Sequence, residues 1–145
     1  MKRQHGFALI VVIAVLVVLA AMAAAVVSLS ASQQIGSAQD VQSARAWQAA
    51  RAGNEWGLYQ ALQNGQCQPA STLDLRSETG FSVTVSCKST TFNEGESAPG
   101  TTRPVTFYGI TSVACPASTC PSSDPATVAA PGYVERTRVV LASQD

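Results

Sequence analysis

From Phe7 to Val27 the chain reads FALIVVIAVLVVLAAMAAAVV, twenty-one residues without one polar side chain. At about 1.5 Å per residue a helix of that length spans about 30 Å, the thickness of a bilayer's hydrocarbon core. No Asp, Glu, Lys or Arg occurs between Arg3 and Asp40. Lys2 and Arg3, ahead of the run, predict a cytoplasmic N-terminus with the remainder carried outward. Three uses of such a segment are open: an uncleaved anchor, a secretory signal cut at small residues such as Ala23, Ala24 and Ala25, or a span processed at Gly6–Phe7 and kept. Secretory signals use a shorter apolar region, of about 7–15 residues.

More helix is expected beyond the span. No proline occurs from Ser28 to Gln63, and Asn64–Gly65 reads as a C-terminal stop. Ala49, Ala52, Trp56, Tyr59 and Leu62 recur at helical spacing. Trp47 and Leu58 are about three turns apart and share a second face. A single helix over residues 7–63 follows, roughly 85 Å long. The stripe ending at Trp56, Tyr59 and Leu62 is expected to lie under the C-terminal part, leaving the other face for a neighbour. Ala49, Gly53, Gly57 and Ala61 also fall every four residues, a spacing that lets a helix and a second element approach closely. Two glycines inside a helix cost about 1 kcal/mol each against alanine, which close approach would offset. Arg51 and Glu55 form a solvated i,i+4 pair.

Residues 65–145 are sufficient for one small domain with a thin core. FSVTVSC alternates Phe81, Val83, Val85 and Cys87 with Ser82, Thr84 and Ser86, a half-buried strand. PVTFYGITSVAC sets Val105, Phe107 and Val113 against Thr106 and Ser112, with Gly109 as a candidate bulge. YVERTRVVLA offers Tyr133, Thr137, Val139 and Leu141 inward, with Glu135, Arg136 and Arg138 as surface charges. TTFNEGESAPGTTRP and CPASTCPSSDPATVAAPG are rich in Pro, Gly, Ser and Thr and read as loops. The expected class is therefore α+β: a long N-terminal helix packed on a small antiparallel sheet.

Cysteines stand at 67, 87, 115 and 120. An even count in a small region behind an export-type N-terminus predicts disulfides, paired in sequence as Cys67–Cys87 and Cys115–Cys120. A four-thiolate zinc site would need paired CxxC knuckles, which these spacings lack. The one histidine, His5, precedes the apolar run. With no glycine-rich phosphate loop, no GxSxG and no carboxylate pair at a catalytic spacing, no enzyme, cofactor or metal is expected. Glu94 and Glu96 read as solvating loop charges. The absence of a basic cluster leaves no footprint for nucleic acid.

A basic leader ending in glycine, an aromatic residue after it, and a span continued by a long helix into a small β domain resemble a type IV prepilin. Within that group SLSASQQ and AARAGNEWGLYQAL are similar to the minor pilin-like biogenesis proteins of mannose-sensitive haemagglutinin (MSHA) pili. The resemblance covers residues 1–65; beyond them it rests on architecture. It implies cleavage after Gly6 by a membrane prepilin peptidase, with Phe7 becoming the N-methylated first residue. The chain would then divide into a leader (1–6), a transmembrane and assembly half-helix (7–27), an amphipathic half-helix (28–64) and a disulfide-containing β domain (65–145). The implied partners are that peptidase, other major and minor pilins, the inner-membrane assembly platform and membrane lipid. The implied location is the inner membrane and then the pilus. Major pilins carry Glu at the fifth position after the cut; here it is Val11. That departure removes a costly intramembrane carboxylate and its pairing, which favours a minor subunit near the tip.

Overall fold

The computed structural model describes residues 5–144, apart from the side chains of residues 5–8 and 28–35. Its class is the expected α+β. Helix α1 runs His5–Gln63 and is followed by a four-stranded antiparallel sheet in the order β1-β2-β3-β4. The strands are β1 (Ser71–Leu75), β2 (Phe81–Ala98), β3 (Thr101–Cys115) and β4 (Arg136–Gln144). Two single-turn helices interrupt them, α2 (Arg76–Thr79) and α3 (Pro125–Val128).

Contacts divide the chain after Ala38. The described part of the first unit is helix, apolar from Leu9 to Val27. The second begins at Gln39, well before residue 65, because the last part of α1 supplies one wall of the core. That core comprises Ala46, Ala49, Ala50 and Ala61 of α1 with Phe81, Val83, Val85, Ile110 and Ala114 of the sheet. Burying side chains such as Val83 and Ile110 is worth about 1.5–3 kcal/mol each.

α1 stops where Gly65 adopts a left-handed backbone (φ +63°) and the Gln66 N–H reaches back to the Gln60 carbonyl at 2.8 Å. This six-residue closure satisfies a carbonyl that the helix end would leave free.

The sheet departs from expectation in three ways. STLDL forms a fourth strand, paired from Ser71↔Val85 to Leu75↔Phe81. TTFNEGESAPGTTRP is the end of a long β2–β3 hairpin, with irregular register between Asn93 and Ala98 and a turn at Pro99–Gly100. Its β-branched threonines suit a ladder, and the partner strand supplies pairing that local composition does not reveal. The register at Gly109 is regular, Lys88↔Gly109↔Leu141, so no bulge lies there.

Gly53 and Gly57 set the spacing between helix and sheet. A Cβ at Gly53 would lie 2.6 Å from Val83 Cγ1 and 3.0 Å from Ser112 Cβ, and one at Gly57 would lie 2.7 Å from Ile110 Cγ2. Gly36, by contrast, has nothing among the described residues within 4 Å of its Cβ position. Gly53→Ala should therefore lower the unfolding midpoint of the full chain in detergent despite alanine's better helix propensity. The overpacking, about 1–3 kcal/mol, outweighs about 1 kcal/mol of propensity. Gly36→Ala should leave the midpoint unchanged or raise it; equal behaviour of the two variants would contradict the close seam.

Candidate functional site

The first candidate site is the apolar helix itself. Leu9–Val27 is long and apolar enough to cross a membrane, and none of it is buried by the rest of the protein. Leu9 is 65% exposed and Val27 69%. A bare surface of this kind in water would be strongly unfavourable, and a membrane span is compatible with its length and composition. Gly6 and Phe7 lie in the first turn of α1. The leader residues Met1–Gln4, Lys2 and Arg3 among them, lie outside the described residues.

The second is the seam between α1 and the sheet. Ala49, Gly53, Gly57 and Ala61 are buried along one face of α1. The bulkier stripe is not the one that faces the sheet: Tyr59 is 58% exposed, Ala52 is exposed, and Trp56 is only partly buried. Small residues win this face because the backbone must come close to Val83, Val85 and Ile110.

The same closeness selects the residues of β3. Ser112, expected outward, is wholly buried against α1, whereas Phe107 is 41% exposed on the opposite face. Ser112 Oγ donates to the Ala50 carbonyl oxygen at 2.6 Å and also contacts Oδ1 of the buried Asn54. One hydroxyl hydrogen faces two acceptors here. Turning the Asn54 carboxamide about its last torsion would place its N–H on the serine oxygen and satisfy all three groups.

β4 is turned over relative to expectation. Val139 and Leu141 are 64% and 76% exposed, and Arg136 and Arg138 lie toward the helix. The Arg138 guanidinium carbon sits 4.4 Å from the Trp47 ring centroid, and Arg136 donates to Ser43 Oγ. An arginine stem can cover apolar surface while its head stacks on an aromatic face, which makes this inversion tolerable.

Both expected disulfides are present, Cys67–Cys87 and Cys115–Cys120. The first ties the segment after α1 to β2, where the Cys87 N–H also donates to the Gln68 carbonyl at 2.9 Å. Beside it is a cavity of about 180 Å³ lined by Trp56, Gln60, Gln68, Leu73 and Val85 among others. The second closes the loop that covers Ser82 and Thr84, with the Cys120 N–H donating to Thr84 Oγ1 at 3.2 Å. Under this loop Ser82 Oγ is buried without a hydrogen-bond partner among the described residues. Closing loops of these lengths is worth about 3 and about 2 kcal/mol in the chain-entropy view.

Charge plays a minor part. Arg51 and Glu55 pair at 2.9 Å with both side chains exposed. The Arg76 guanidinium and backbone N–H beside Asp74 hold its carboxyl down at about 2. Among the described residues no group of three or more His, Cys, Asp or Glu is placed to hold a metal ion.

Comparison with protein-family models, with curated proteins and with solved structures finds no match for this chain.

Sequence patterning located the small-residue stripe and the cysteines but missed Asn54, Ser112 and Arg138 as seam residues. A usable signal existed for Asn54, which follows Gly53 on the same buried helical arc.

Two outcomes are expected. Ser112→Ala, which strands the buried Asn54 amide, should cost about 1–3 kcal/mol in denaturant unfolding. Combined with Asn54→Ala the loss should be smaller than the sum by at least about 0.5 kcal/mol; strict additivity would mean that the two side chains do not act together. In an NMR pH titration Asp74 should have its midpoint near 2, and Arg76→Ala should return it toward 3.8, the ordinary value. Because the folded value is the lower one, the pair's stabilisation is present above about pH 4 and fades as pH falls toward 2.

Proposed function

We propose that the chain is a minor pilin-like structural subunit of a type IV pilus of the MSHA kind, acting at or near its tip. The observation that carries this reading is an uncharged, wholly bare helical segment that continues as α1 into a small sheet domain closed by two disulfides. Disulfides fit export to an oxidising compartment. The segment gives the subunit two environments, bilayer before assembly and neighbouring apolar helices afterwards. Transfer between them avoids exposing to water a surface worth about 25 cal/mol per Å². In this reading the leader is removed between Gly6 and Phe7 by a prepilin peptidase. The assembly platform and other major and minor pilins are its partners, and the chain does no chemistry of its own. Val11, where a major pilin has Glu, supports a minor position over the shaft.

The second reading, an uncleaved single-pass scaffold of the inner membrane, rests on the same bare segment. Intact mass and N-terminal peptide, with and without co-expressed prepilin peptidase, separate them. A product starting at N-methylated Phe7, made only with the peptidase, is the expected result. An intact leader in the presence of active peptidase would leave the scaffold, and a start beyond Ala25 would mean a secreted domain.

A further inference from the structure

The face of the sheet turned away from α1 carries an apolar strip that the chain itself leaves open. The register places Phe92, Phe107, Val139 and Leu141 on that face, together with Lys88. Phe92 and Phe107 pack edge to face with centroids 5.7 Å apart, yet remain 55% and 41% exposed. Lys88, Gly109 and Leu141 form one cross-strand row. Gly109 leaves its middle low, with Leu141 Cδ2 3.6 Å from the position a Cβ would take. At the other end of the same face the Cys115–Cys120 loop covers Ser82 and Thr84. One end is thus roofed by the chain and the other is bare.

We infer that this strip is a docking surface for a different polypeptide, one presenting an apolar surface with a carboxylate opposite Lys88. Charge selects that occupant. Lys88 is exposed and makes no ion pair among the described residues. A second copy packed on the same strip would meet Lys88 with no carboxylate of its own, since the register from Ser82 to Asn93 places none on this face of β2, β3 or β4. A lipid surface is disfavoured because the charges of the hairpin cancel, Lys88 and Arg103 against Glu94 and Glu96, leaving no basic cluster to hold it on anionic headgroups. A carboxylate on an apolar protein surface answers both features. Area adds a condition. The four apolar side chains expose on the order of 400 Å², a size typical of functional patches and about half of the ~800 Å² per partner of a standard stable interface. The partner is therefore one already held alongside, as a co-anchored membrane protein or a neighbouring subunit is, so that a small contact suffices. The inference stands whether or not the chain is processed at Gly6–Phe7.

The test places photoreactive benzoylphenylalanine at Leu141 of the full chain in the cell that makes it, with Ala52 on the exposed helix face as control. Irradiated products are digested and the joined peptide is sequenced by mass spectrometry. The expected result is one protein adduct at 141 and none at 52. Its yield should fall about tenfold with Lys88→Glu and return when a carboxylate near the joined peptide in the partner is changed to lysine. Circular dichroism melting of Lys88→Glu should match the unaltered chain. Adducts to lipid, to a second copy of this chain, or to nothing would overturn the inference, as would a protein adduct indifferent to Lys88→Glu. Intact mass of the same sample reports leader cleavage separately, so failure of the docking surface and failure of the pilin reading are distinguishable.

Discussion

The folded unit depends on the backbone of α1 coming within van der Waals reach of β2 and β3. Gly53 and Gly57 permit it, since any side chain there would collide with Val83, Ser112 or Ile110. Once the elements are this close, the rest of the seam is constrained to small or flat groups: Ala46, Ala49, Ala50 and Ala61 on the helix, Ser112 and Ala114 on the sheet. A core of this kind buries little area per residue and relies on dispersion contacts at short range. It also relies on polar groups being satisfied. The Ser112 hydroxyl, Asn54 and the Ala50 carbonyl meet where water cannot, and such a group fixes one sliding position of helix on sheet.

The disulfides complement that seam by acting where it is weakest. A thin core in about a hundred residues gains from constraints on the unfolded chain. Cys67–Cys87 holds the exit from α1 at the edge of β2, and Cys115–Cys120 holds a long connection over the sheet's other face. Strand β4 closes the remaining side with Val140 packed on the core and Arg136 and Arg138 beyond it, Arg138 lying on Trp47.

Periodicity makes the long helix, its stop at Gly65, the alternation of Phe81 to Val85 and the small-residue stripe legible in the sequence. Each of these is a local signal whose meaning depends on a few neighbours. The inverted elements are those decided by partners far along the chain. In β3 and β4 the apolar residues lie on both faces, so alternation alone could not tell inside from outside. The choice fell to register, which puts Ser112 and Arg138 toward the helix. The hairpin beyond Phe92 looked like a loop because its residues are polar, and polar residues are unremarkable in a strand with solvent on both faces. STLDL was too short to stand out, and its pairing with β2 is what makes it a strand.

Strands β2 and β3 outrun their neighbours: β1 pairs no further than Val85, and β4 no further than Thr106. The stretch from Asn93 to Pro104 thus contributes nothing to the packed interior, and every residue in it is exposed. Its length and composition are uncoupled from the requirements of folding, because extending such an exposed turn adds only a slowly growing entropic penalty. Related chains sharing the glycine seam would be free to diverge in this arm first, carrying different tips on a common body.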